Sequence, residues 1–149
     1  MRLSPIQLLD SSIERIFVER VHGVVEQNEA PLTTSMDFQV FKQFAAEPEY
    51  WLETPEPASL KDRTFRVTLG LKTPQDKPFQ NYRFELVASG VLMVLPESFE
   101  PNRVQDMALE YGLTLLYGIL REHLTLSTGR MANGACLLPT MSFLGEAKP

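Results

Sequence analysis

One segment constrains this chain more than any other. From about residue 103 to Ser127 it reads as one long helix that is apolar over more of its girth than a single sheet can cover. Val104, Ala108, Tyr111, Leu115 and Ile119 recur at helical spacing and make one stripe. Leu113, Leu116, Leu120 and Leu124 make a second stripe beside it. A helix resting on one sheet needs a single apolar stripe. Nothing else in the chain is left to cover the second side, so another subunit is the natural cover. Val104, Ala108, Tyr111, Leu115, Leu116, Ile119 and Leu120 are therefore the expected oligomer interface, in a homodimer or homotetramer. Asn102 stands where a cap belongs, with Gln105 three residues on as in a capping box. At ~1.5 Å per residue the helix spans about 40 Å. Gly112 and Gly118 lower its propensity and leave room for close helix contact.

Four strands are expected ahead of that helix. Thr64 to Lys72 alternates cleanly, with Phe65, Val67, Leu69 and Leu71 on one side and Thr64, Arg66, Thr68 and Lys72 on the other. Asn81 to Leu95 follows a Pro-rich turn and carries Tyr82, Phe84, Leu86 and Ala88 on one side, with a bulge or bend expected at Gly90. Ile13 to Val21 is the first strand, with Ile13, Phe17 and Val21 on one face and Ile16 and Val18 on the other. Met36 to Phe44 is the second, less regular, and a bulge accounts for its broken alternation. Residues 22–35 and 47–62 are loops; the second holds Pro48, Pro55 and Pro57. Strands followed by one helix give an α+β domain: a four-stranded antiparallel sheet with a long helix on one face, over residues 1–149. The tail from Leu137 to Phe143 is apolar and extended, and should pack along the sheet or helix.

Composition narrows the function. A formal net charge of -5 argues against nucleic acid, which demands a basic stripe. No run approaches the ~20 apolar residues of a membrane helix, and Met1 to Leu9 lacks the core of a signal peptide. The one cysteine, Cys136, fits a reducing compartment and so the cytosol. No phosphate-cradling glycine motif is present, and Thr128-Gly129-Arg130 has no such context. His22 and His123 belong to no metal-ligand spacing, and Cys136 reads as a small buried residue. Glu110 and Glu122 read as solvated helix charges rather than an acid/base pair. The expectation is a protein that is not an enzyme and uses no metal or cofactor.

Three segments together resemble the SecB family of protein-export chaperones. Ile13-Glu-Arg-Ile-Phe-Val-Glu-Arg-Val21 is similar to that family's first strand. Glu85 to Gly90, followed by Val91 and Leu92, resembles its fourth. Leu116-Tyr-Gly-Ile-Leu-Arg-Glu122, with Thr125, Pro139 and Phe143 downstream, resembles its central helix and the Leu-x-Pro-x-x-Phe segment beyond. The resemblance implies helices sandwiched between two sheets in a tetramer, and unfolded polypeptide held in apolar grooves without ATP. It also implies a second C-terminal helix, for which residues 144–149 leave no room. The family docks the translocation motor SecA through acidic residues; the matching positions here are Arg20, Val24 and Glu85, of which only Glu85 is acidic. An Arg at an acidic contact reverses attraction, so a dedicated client, such as the antitoxin of a toxin–antitoxin pair, fits better than general export. The expected client-binding residues are Val24, Met36, Phe38, Phe41, Phe44, Tyr50 and Trp51, with Met141 as adaptable surface. The rival readings are a partner-specific adaptor of the same fold, and an enzyme using a pocket between subunits.

Overall fold

The computed structural model describes residues 3–21, 39–46, 63–74, 76–95 and 99–143, with residues 39–46 as backbone. Strands β1 (Ile6–Arg20), β2 (Gln39–Ala46), β3 (Thr64–Lys72) and β4 (Tyr82–Val94) precede a 3₁₀ turn, Pro101–Arg103, and one helix, α1 (Val104–Thr128). The architecture is α+β: an antiparallel sheet with one long helix across it. The strand order is β1-β4-β3-β2, so the chain lays its first strand on one edge and closes the centre with its last. Side chains are described for three of these strands; β2 pairs with β3 through its backbone, from Gln39 opposite Lys72 to Ala46 opposite Phe65.

The clean alternation of β3 decides which side of the sheet is buried. Phe65, Val67, Leu69 and Leu71 face the helix and sit opposite Leu92, Gly90, Ala88 and Leu86 of β4. All of these apolar side chains are buried. The other face carries Arg66, Thr68 and Lys72, with a Thr68–Ser89 hydroxyl contact of 2.9 Å across to β4. α1 closes the core with Leu113, Leu116, Leu120 and Leu124, each 0% exposed. Removing four leucines of this kind from water stabilises the fold by roughly 1.5–3 kcal/mol apiece.

Glycine sets how closely helix and sheet meet. A Cβ built on Gly112 would lie 2.8 Å from Val67 Cγ2 and 2.8 Å from Leu92 Cδ1. Gly112 thus gives close contact with the sheet rather than with another helix. Gly90 does the reciprocal work on β4: a Cβ there would meet Leu116 Cδ2 at 3.3 Å and Leu8 Cδ1 at 3.1 Å.

β1 differs from expectation. It begins at Ile6, seven residues earlier than the alternation of its second half suggests, and runs for 15 residues. The irregularities lie on β1, between Leu8 and Asp10 and between Ile13 and Arg15, not at Gly90. The second bulge changes the parity of the strand. Ile13, Ile16 and Val18 therefore share the helix side, opposite Ala88, Leu86 and Phe84, and Phe17 falls on the other face opposite Glu85.

The start of α1 also departs from the capping expectation. Pro101 starts a 3₁₀ turn, closed by Arg103 N–H donating to the Glu100 carbonyl at 2.8 Å. Asn102 is inside that turn, the cap position falls to Arg103, and no side chain caps the helix. The chain then returns from α1 as an extended segment with Cys136, Leu138 and Phe143 buried. Its backbone is satisfied by side chains rather than by a strand. Arg121 Nε donates to the Leu138 carbonyl at 2.7 Å and Tyr117 Oη to that of Pro139. The Gln80 amide both donates to and accepts from Leu137. Gln80 reaches it because Gln80 and Asn81 both take positive φ, 47° and 67°, in the tight turn between Phe79 and Tyr82.

Candidate functional site

Among the described residues, and apart from Leu3 and Leu8 near the start of the chain, the exposed large apolar side chains cluster in two places. The first is the outward line of α1. Leu113, Leu116, Leu120 and Leu124 turn inward, so residues about half a turn away must turn out. Tyr111 is 38%, Leu115 40% and Leu126 68% exposed, and Ile119 is partly buried beside them. Gly118 is on the same line, and a Cβ built there would meet nothing within 4 Å. Beside Gly118 an open cleft of about 270 Å³ is lined by Arg121, Glu122, Thr125, Leu126 and Leu137.

The expected interface therefore divides. Val104, Ala108, Leu116 and Leu120 are buried against the chain's own sheet, while Tyr111, Leu115 and part of Ile119 remain available. Leu126 and Leu137, which the stripes did not include, join them. Leu126 is i+4 from Glu122 and i+8 from Gly118, so the line passes through two residues that a search for apolar repeats skips.

The second place is the C-terminal half of β1. Ile16 on the helix side and Phe17 on the other are 43% and 52% exposed. Of the motor-docking positions, Glu85 lies on the face away from the helix, where Arg15 Nη1 holds its carboxylate at 2.7 Å. Arg20 is opposite Tyr82, on the helix side. The two do not form one surface, and Val24 is outside the described residues. Of the expected client-binding residues, Val24, Met36, Phe38, Tyr50 and Trp51 also lie outside the described residues. Phe41 and Phe44 are placed by backbone register only, opposite Gly70 and Val67.

Among the described residues, the groups whose pKa is shifted are buried in the packing. Burial pushes the Cys136 thiol up to about 12, and its backbone N–H donates to Thr128 Oγ1 at 2.7 Å. Burial likewise raises Tyr117 to about 12, more than the nearby Arg121 lowers it. Burial also raises Tyr82, whose hydroxyl donates to the Gly134 carbonyl. Glu110, expected among the solvated charges, is buried, because it falls on the flank of α1 that turns toward the chain; Glu122 is exposed. Among the described residues no three His, Cys, Asp or Glu come together as metal ligands. No described helix is long and apolar enough to cross a membrane.

No family model matches the sequence, and no curated protein matches it. Solved structures do. One is the SecB-like chaperone of Mycobacterium tuberculosis in complex with a ChAD peptide from the HigA1 antitoxin. It is 19% identical, with a TM-score of 0.54, over 92% of this chain and 88% of that one. A protein of unknown function from Streptococcus agalactiae is 12% identical, with a TM-score of 0.49, over 91% of this chain and 97% of that one. The element order, the sheet with its long helix and the coverage of both chains agree with the first comparison: this chain has a SecB-like fold.

Proposed function

We propose that the protein is an ATP-independent holding chaperone that binds extended or unfolded polypeptide on apolar surface. Its client is a dedicated one, such as an antitoxin, rather than the general traffic of export. It works as a homo-oligomer in the cytosol and is not an enzyme. One observation carries the reading: in a SecB-like fold, Tyr111, Leu115 and Leu126 of α1 and Phe17 of β1 are left open by the chain's own packing. The antitoxin peptide bound by the structural neighbour supports a polypeptide client.

The physics is that of surface burial. An unfolded segment exposes apolar side chains, and each Å² of apolar surface removed from water stabilises the complex by ~25 cal/mol. Several such surfaces in one oligomer raise the affinity for a long client through effective concentration. Holding needs no conformational cycle, and hence no nucleotide. Docking of SecA is disfavoured: Arg15 neutralises Glu85, and Arg20 is basic and on the opposite side of the sheet.

The test is suppression of aggregation. Several unrelated proteins diluted from denaturant should stay soluble when this protein is present at stoichiometric amounts. Trp51→Ala and Phe41→Ala should weaken that protection without unfolding the chain. Binding to a single folded partner, with no protection of unfolded ones, would replace the chaperone reading with that of an adaptor.

A further inference from the structure

Residues 136–139, beyond the end of α1, lie in a cradle of side chains. The Gln80 amide meets both backbone groups of Leu137, donating to its carbonyl at 3.1 Å and accepting from its N–H at 2.9 Å. Arg121 Nε donates to the Leu138 carbonyl at 2.7 Å, and Tyr117 Oη donates to that of Pro139. Thr128 Oγ1 accepts from the Cys136 N–H at 2.7 Å. Four successive residues are thus held by their main chain, and among the described residues no backbone–backbone hydrogen bond reaches them.

Nothing in those bonds reads which side chains the segment carries. Any extended chain presents N–H and carbonyl groups at the same spacing. The demand on side chains is equally simple. Cys136 and Leu138 are 0% exposed and Leu137 between them is 48% exposed. The cradle therefore asks for an apolar residue at every second position and no more. Its upstream corner is fixed separately. Asn133 Nδ2 donates to the Asn81 carbonyl at 3.3 Å, and the Tyr82 hydroxyl donates to the Gly134 carbonyl. Gly134 takes a φ of 79°, which glycine reaches without strain, so it is a natural hinge between that corner and the segment beyond.

We propose that residues 136–139 stand in, within the chain, for an extended apolar stretch of client polypeptide, and that a client enters the cradle by displacing them. This deepens the holding reading above and rests on it, adding a covered site to the open apolar surface of α1 and β1. The tethered segment competes at a high effective concentration. A client's apparent affinity is then its affinity for the open cradle, reduced by the fraction of molecules in which the cradle is open. Short or polar segments lose that competition. A stretch with apolar residues at alternate positions wins it, because it replaces both the main-chain bonds and the buried side chains.

Cys136, the one cysteine of the chain, reports the displacement directly. Its rate of labelling by a thiol reagent is measured at pH 8 with and without reduced, carboxymethylated α-lactalbumin, which stays unfolded and has no free thiol. Saturating client should raise the rate at least about tenfold, because the displaced segment carries Cys136 into water. Bound client with an unchanged rate would overturn the proposal and leave the holding reading standing. Leu138→Ala is the second arm. It loosens the segment and leaves every residue of the cradle in place, so client affinity should rise about tenfold or more. An affinity that stays the same or falls would overturn the proposal. If the variant loses its helical circular dichroism, the labelling of the unaltered chain decides alone. A client that binds only the variant would support the proposal, by showing that the segment shuts the site. A client that binds neither form would overturn both readings.

Discussion

Gly112 and Gly118 lie on one helix, six residues apart, and alanine should have opposite effects at the two. On propensity alone each substitution gains about 1 kcal/mol. At Gly118 the new methyl group meets nothing within 4 Å, so that gain should appear in full. At Gly112 it would lie 2.8 Å from methyl carbons of Val67 and Leu92 and 3.2 Å from Val67 Cβ. The tip of Leu92 can turn aside. Val67 cannot, because its Cβ is fixed to β3, so the helix must lift from the sheet by a few tenths of an ångström. Overpacking of that kind costs ~1–3 kcal/mol. The net for Gly112→Ala is a loss of up to about 2 kcal/mol, and because the propensity gain is common to both variants they should differ by the overpacking cost, ~1–3 kcal/mol. In a chain of this length that separates their melting temperatures by roughly 2–12 °C. Urea titrations followed by circular dichroism, at several protein concentrations, give both numbers. The concentration series matters: if Gly118 faces a partner's surface, Gly118→Ala raises the stability of the free chain while weakening association. Equal stabilities for the two alanine variants would refute the helix–sheet distance and the inward assignment of Gly112.

Two further outcomes are expected. Leu116→Ala should cost ~2–5 kcal/mol, whereas Leu115→Ala, one residue away and 40% exposed, should leave the stability of the dilute chain within ~0.5 kcal/mol; comparable losses would show that the faces of α1 are misassigned. Cys136 should resist thiol reagents at pH 8 in the folded state and react at once in denaturant. Its folded pKa is raised, as are those of Tyr117 and Tyr82, so the folded state holds these protons more tightly. The stability this gives is complete below the unfolded values near 9 and 10 and is lost as pH climbs toward about 12. A denaturation midpoint that does not fall between pH 9 and 12 would contradict that burial.

Much of the architecture was legible because side-chain periodicity is a local property. The strict alternation of Phe65, Val67, Leu69 and Leu71 marked β3 and its buried face, and the leucine repeat marked α1 to within a residue or two. Local chemistry failed where two signals competed for one place. Asn102 and Gln105 looked like a cap, but Pro101 began a 3₁₀ turn ahead of them. The tail was readable as extended and apolar, yet its anchors, Gln80, Tyr117 and Arg121, come from 17 to 57 residues away in sequence. No local pattern announces such bonds.

The sequence by itself determined that the helix had more apolar surface than one sheet can bury, because the count of apolar positions around a helix needs only the rise and turn of its backbone. Only the tertiary structure decided which residues that surplus is. Gly112 drew one side of α1 onto Val67 and left Tyr111, Leu115 and Leu126 outside. The bulge between Ile13 and Arg15 turned Phe17 to the face opposite Ile13. Both choices depend on contacts between segments far apart in the chain, and a one-residue change of parity in a strand reverses every face that follows it.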